Sequence, residues 1–140
     1  MKKYLLIASL ALCSQITFAQ TETKKDKDKH ENHEPKKTAW AELDAYHTVM
    51  SQTFHPAENG DLKPLLAKSQ ELADKAKVLA NSTVPEKYQK KDVGAILKKL
   101  EQESLALHQM VTSKKSDEEI KKAIFALHDR FHEVMEKCNH

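Results

Sequence analysis

The chain has 140 residues, 31% of them charged, and a formal net charge of only +2 at pH 7. Because acidic and basic side chains are interspersed and nearly balanced, the composition argues against a protein that binds nucleic acid or a charged membrane surface. The chain has two glycines, no glycine-rich phosphate loop and no Ser/His/Asp arrangement for nucleophilic catalysis, so we do not expect an enzyme.

Residues 1–19 have the three parts of an export signal. Lys2 and Lys3 form a basic start, residues 4–12 are apolar, and Thr17-Phe18-Ala19 is typical of a cleavage site. The apolar run is too short to span a bilayer. We therefore expect cleavage after Ala19 and a periplasmic or secreted protein that does not insert into a membrane.

Residues 20–37 contain no aromatic and no aliphatic side chain, and charges of both signs alternate along them. This composition predicts a solvated, disordered leader. His30 and His33 lie within it and could hold a metal ion weakly, although a solubilising spacer is the simpler interpretation. The folded domain is then expected over residues 38–140.

The first helix of the domain is predicted from Thr38, a suitable N-cap, to residue 54 or 55, where Pro56 is expected to stop it. Its inward stripe repeats at spacings of 3, 4, 3 and 4 and consists of Trp40, Leu43, His47, Met50 and Phe54. Two members of this apolar stripe, His47 and Met50, carry groups that can bind a metal.

Two further amphipathic helices are predicted, one at about residues 62–81 and one from residue 86 or 92 to residue 112. Asn59-Gly60 marks the turn before the first of them, and the Ser82–Pro85 segment breaks the chain between the two. Their inward stripes are mainly leucine. His108 lies beside the stripe of the second.

The last helix is predicted from Ser116 to Cys138 and begins with a capping box formed by Ser116 and Glu119. His128 and His132 lie one turn apart on its wide apolar face, so their imidazoles can converge on one point. Cys138 is the only cysteine outside the predicted signal peptide, which leaves open a metal ligand, an intermolecular bridge or a small packing residue.

Four amphipathic helices with short connections predict an all-α fold, an up-down-up-down antiparallel four-helix bundle. The first and last helices are neighbours in that topology. At ~1.5 Å per residue, His47 lies roughly 12 Å and His128 roughly 16 Å from the same end of the bundle. His47 and Met50 are therefore expected to cluster with His128 and His132 between these helices.

Three imidazoles and a thioether suit copper, and three imidazoles with a water molecule suit zinc. We therefore expect a copper or zinc ion as the partner of this protein, stored, buffered or transferred outside the cytoplasm. The expected ligands are His47, Met50, His128 and His132. The possible secondary ligands are His55, His108, Glu136 and Cys138.

With four helices, short loops and an export signal, residues 38–138 resemble the periplasmic cytochrome b562 and cytochrome c′ group. In the b562 type the haem iron takes a Met from the first helix and a His from the last. The resemblance thus implies haem b held by Met50 and by His128 or His132. Covalent c-type attachment is excluded because the chain has no C-x-x-C-H motif and ends in Cys138-Asn139-His140.

The stretch W-A-E-L-D-A-Y-H-T-V-M-S-Q-T-F-H-P-A-E-N-G also resembles a small family of exported bacterial bundle proteins, a likeness that adds no mechanism. Three hypotheses stay open: copper or zinc binding, electron transfer by a b-type haem, and a cofactor-free structural bundle whose histidines are packed in the core. The wide face of the last helix, or Cys138, could also join two copies in a homodimer.

Overall fold

The computed structural model describes residues 37–139, which form four α-helices and, within this range, no strand. The helices are α1 (Ala41–Glu58), α2 (Lys63–Asn81), α3 (Val93–Thr112) and α4 (Asp117–Asn139), with one 3-10 turn (Glu86–Tyr88) between α2 and α3. The predicted all-α, four-helix class is confirmed. The predicted signal peptide, and the predicted leader apart from its last residue, lie outside the described residues.

Each helix packs mainly against its neighbours in sequence, and α1 and α4 meet less extensively. This order of contacts is compatible with the predicted up-down-up-down topology, because short connections join helices that lie side by side. The core consists of the apolar stripes of all four helices, and its largest fully buried side chains include Trp40, Leu43, Tyr46, Met50, Leu65, Leu72, Leu79, Leu97, Leu100 and Leu107. No helix within residues 37–139 is long and apolar enough to cross a membrane.

The N-terminal boundary of α1 differs from the prediction, since Thr38 is not the N-cap. The helix begins at Ala41, with Trp40 in the cap position. The Thr38 backbone N–H donates to the Asp44 carboxylate at 2.9 Å, and the Thr38 hydroxyl accepts from the Trp40 N–H at 3.0 Å. The indole of Trp40 is buried and donates to the Ser82 hydroxyl at 3.0 Å, so this segment is attached to the far end of α2.

The predicted stop at Pro56 is wrong, because α1 continues through Pro56 to Glu58. A proline this close to the helix end removes one backbone donor without interrupting the turns before it. The turn that ends the helix uses the Pro56 carbonyl, which accepts from the Asp61 N–H at 2.9 Å, while Gly60 adopts a φ of +85°. The extension places His55 and Glu58 together in the last turn of α1.

The start of the third helix resolves the two predicted alternatives. α3 begins at Val93, directly after Asp92, which has a left-handed backbone with a φ of +72°. Residues 86–88 form only a separate 3-10 turn, whose Tyr88 ring stacks on the Trp40 ring with centroids 5.8 Å apart. The left-handed residue thus changes the chain direction between that turn and α3.

The capping box predicted for α4 is present. The Ser116 N–H donates to the Glu119 carboxylate at 3.1 Å, and the Glu119 N–H donates to the Ser116 hydroxyl at 3.3 Å. These bonds satisfy two backbone donors that a helix start would otherwise leave unpaired within the protein. The contact also holds the pKa of the Glu119 carboxyl below its usual value, mainly through the Ser116 side chain.

We expect Ser116→Ala to reduce the free energy of unfolding by about 1 kcal/mol, the usual contribution of an N-cap. Thermal or urea unfolding followed by circular dichroism measures this loss. A double-mutant cycle with Glu119→Ala supplies the control, because the two bonds are reciprocal. If the losses of the two single variants simply added in the double variant, the capping box would not act as a unit.

Candidate functional site

α1 and α4 enclose between them a cavity of about 210 Å³. Its lining residues are His47, Met50, Ser51, Phe54, His55, Glu58, His128 and His132. The structure therefore brings the four residues predicted as primary metal ligands, together with His55, to the wall of one cavity. Helical spacing explains this placement, since the α1 members recur every three or four residues and the two α4 members lie one turn apart.

These side chains differ in how far they are exposed to water. Met50 belongs to the core and is only 1% exposed. His47 and His128 are half-buried, whereas His55 and His132 are exposed. The cavity is thus lined by a buried thioether residue, two half-buried imidazoles and two imidazoles that water can reach.

The orientation of the His128 ring is set by its aromatic neighbours. Phe54 stacks on it with ring centroids 3.6 Å apart and planes inclined by 6°. His132 meets it edge-on, with centroids 4.5 Å apart and planes inclined by 82°. Phe125 in turn packs against the edge of Phe54 at 5.1 Å. The stack on Phe54 therefore orients the imidazole plane of His128, and His132 is the imidazole that adjoins it in the cavity.

Burial lowers the pKa of His128 from its ordinary value of 6.5 to about 4. The removal of water from the charged imidazolium is the largest cause, and the neighbouring His132 lowers the pKa further. Asp129 and Glu58 oppose the shift, and His55 adds to it weakly. At neutral pH the ring is consequently uncharged, so one of its nitrogens has a lone pair available to a metal ion.

His55 is hydrogen-bonded to Glu58, with Nδ1 and Oε2 2.8 Å apart. When Nδ1 donates its proton to this carboxylate, the lone pair of Nε2 is left available for a ligand, the arrangement commonly found behind metal-binding histidines. Glu58 was not predicted as a site residue. The spacing His55-x-x-Glu58 on one helix face could have predicted it. The mistaken stop at Pro56 placed Glu58 outside the helix, so this spacing was not considered.

His47 completes the α1 side of the cavity. It is half-buried, and its ring lies against Phe131 of α4 with centroids 5.0 Å apart and planes inclined by 41°. Phe131 also contacts Tyr46, with ring centroids 5.4 Å apart. The position of His47 is therefore determined by packing between α1 and α4, as is that of His128.

Three of the possible secondary ligands lie away from the cavity. His108 is between α2 and α3, where its Nδ1 is 3.1 Å from the Ser69 hydroxyl. Glu136 lines a different cavity, together with the side chains of Lys90, Lys91 and Lys137. Cys138 is half-buried near the end of α4, and burial raises the pKa of its thiol. A homodimer through α4 or Cys138 stays a prediction.

Within residues 37–139, no group of three or more His, Cys, Asp or Glu side chains is arranged to hold a metal ion in these rotamers. The rings of His128 and His132 adjoin each other, and a site of three nitrogen donors would require side-chain rotations. His55 is exposed in the last turn of α1, where its ring lies edge-on to Phe54 and is hydrogen-bonded to Glu58.

No protein-family model matches the chain, and the comparisons with curated proteins and with solved structures return no match either. The resemblance to the b562 and c′ cytochromes therefore rests on four-helix architecture and ligand types alone. The side chains of the cavity are therefore the basis for its ligand-binding chemistry.

We expect His128 to titrate with a pKa of about 4 in the metal-free protein, well below the 6.5 of an ordinary histidine. The unfolded chain then binds more protons than the folded chain between these two pH values, so the free energy of unfolding falls as the pH is lowered from above 6.5 through 4. NMR titration of the ring carbon-bound protons measures the pKa directly.

His128→Gln is the matched variant for the stability effect. Carboxyl groups titrate over part of the same pH range, and the variant shows their contribution to the loss of stability without that of His128. The wild type should lose more stability on acidification than His128→Gln does. If the free energy of unfolding depended on pH in the same way in both proteins, or if the His128 ring titrated near its ordinary value, the lowered pKa of His128 would be contradicted.

Proposed function

We propose that this protein binds a transition metal ion, copper or zinc, in the cavity between α1 and α4, and that it stores, buffers or transfers this ion outside the cytoplasm. The observation that carries the proposal is the convergence of four imidazole side chains and one thioether side chain, from two different helices, on one small cavity. Export, which the proposal includes, is supported by the signal-like composition of residues 1–19.

His128 and His132 are the anchoring ligands in this proposal, because their rings already adjoin each other. His47 and Met50 line the same cavity from α1 and complete the predicted set. His55 is an additional candidate, oriented by Glu58. Loading requires side-chain rotation, since no three His, Cys, Asp or Glu side chains among the described residues are arranged to hold an ion.

The donor types favour a transition metal over calcium or magnesium. Neutral imidazole nitrogen and thioether sulfur are borderline or soft donors, whereas calcium and magnesium require several oxygen ligands. The cavity has one carboxylate, Glu58, and that group is already hydrogen-bonded to His55. A hard cation would therefore lack the oxygen ligands it needs here.

The size of the cavity favours an ion over a haem. Its volume of about 210 Å³ lies below the range of about 300–1,000 Å³ that is usual for sites of organic ligands and cofactors. Met50 is buried in the core, and Phe54 covers the face of His128. A porphyrin placed between α1 and α4 would therefore displace the side chains of Met50 and Phe54. A Soret band with stoichiometric iron in the purified protein would overturn this preference.

A cofactor-free structural bundle is the second candidate, and two observations favour it. Among the described residues, no buried side-chain nitrogen or oxygen lacks a hydrogen-bond partner. The face of His128 is likewise covered by Phe54 without any ligand. This candidate holds that the histidines serve packing alone, so that their replacement changes stability and nothing else.

We expect copper or zinc to raise the melting temperature of the wild type, because an ion that binds only the folded state stabilises it by about 2.7 kcal/mol at a free concentration 100 times the Kd. His128→Ala should lose this increase. His108→Ala is the matched control, since His108 is also half-buried but lies between α2 and α3.

Calorimetric titration with each ion distinguishes the metal-binding candidate from the structural bundle. A wild type that binds neither copper nor zinc would leave the structural bundle as the answer.

Glu58→Gln should weaken metal binding by about tenfold or more, within the range of about 10–100-fold usual for loss of a carboxylate behind a ligating histidine. The variant keeps the size of the side chain and removes its charge, so stability should change little at this exposed position. Proton–nitrogen NMR correlation of the His55 ring reports whether Nδ1 carries the proton in the wild type. Unchanged affinity in Glu58→Gln would remove His55 from the set of ligands.

A further inference from the structure

The side chains that line the cavity between α1 and α4 favour one particular charge and softness among transition-metal ions. We infer that the ion it binds is copper in the monovalent state, Cu(I), and that Met50 supplies a thioether ligand to it. This inference rests on the proposed function and narrows it to one ion and one oxidation state.

The charge of the cavity wall favours a monovalent ion. With neutral imidazoles, the eight lining residues carry a single formal charge, that of the Glu58 carboxylate. A monovalent ion matches this one charge, whereas Zn²⁺ or Cu²⁺ would exceed it by one. The excess charge costs least where water reaches the exposed His55, Glu58 and His132, and most beside the buried Met50 and Phe54. Asp129 is exposed and is not part of the wall.

The most deeply buried donor of the cavity is a sulfur-containing side chain, which favours a soft ion. Met50 is 1% exposed and lines the cavity. Thioether sulfur is a soft donor that binds Cu(I), while zinc sites are built from thiolate, imidazole and carboxylate ligands. The thioether of Met50 is therefore the donor in this cavity that distinguishes the two ions.

The donors of the cavity differ from those of the usual zinc sites. Structural zinc sites use four protein ligands and catalytic ones three, in a tetrahedral arrangement. No three side chains of the usual zinc-ligand types are so arranged within residues 37–139. The cavity instead has the adjoining imidazoles of α4 and the thioether residue Met50, neutral nitrogen and sulfur ligands of the kind that suits Cu(I).

The test compares affinities for Cu(I) and Zn²⁺ in the purified protein, with Cu(I) supplied anaerobically and each ion partitioned against a chromophoric chelator. Wild type should bind Cu(I) at least about tenfold more tightly than Zn²⁺, corresponding to a free-energy difference of about 1.4 kcal/mol or more. Met50→Leu conserves volume and hydrophobicity, so it should fold. It should lose at least about tenfold in Cu(I) affinity and leave Zn²⁺ affinity unchanged.

X-ray absorption at the copper edge of the loaded wild type adds a readout that does not depend on the variant. A sulfur atom bound to copper is expected, and it should persist in Cys138→Ser, which removes the one thiol among the described residues. Zn²⁺ binding as tight as Cu(I), unchanged Cu(I) affinity in a folded Met50→Leu, or copper bound by nitrogen alone would overturn the inference and leave the proposed metal binding intact. Failure to bind either ion would overturn both.

Discussion

The stack of Phe54 on His128 joins the two helices whose facing sides form the cavity. α1 and α4 pack less extensively than the other neighbouring helices of the bundle, so a few large side chains determine how they meet. Phe125 supports the stack from the edge, and Phe131 makes a similar contact with His47. The same aromatic contacts that close the bundle on this side therefore position its imidazoles.

This arrangement makes packing and chemistry depend on each other. The neighbours that fix the His128 ring also exclude water from it, and exclusion of water is the main reason that its pKa is low. A neutral, oriented imidazole has a lone pair to offer at neutral pH, whereas a solvated histidine would lose that lone pair to protons on mild acidification. The exposed His132 and His55 are in contact with water instead; His132 adjoins His128 edge-on, and His55 is hydrogen-bonded to Glu58.

Polar pairs elsewhere in the core act in a different way. The Tyr46 hydroxyl lies 3.2 Å from that of Ser104, which connects α1 with α3 across the bundle, and burial raises the pKa of Tyr46. Ser69 and His108 make the corresponding connection between α2 and α3. Because an unpaired buried hydroxyl is costly, these pairs restrict how the helices can slide against one another. His108 thus has a structural role that does not require a ligand.

The sequence by itself determined the four helices, the capping box at Ser116 and the shared face of His128 and His132, because periodicity and i,i+4 spacing are local properties of a helix. Only the tertiary structure decided that α1 passes Pro56 and brings Glu58 to the cavity, since the final turn depends on what the chain does at Gly60 and beyond. It also decided which imidazole loses its water, because Phe54 and His128 are far apart in the chain and meet only when α1 packs against α4.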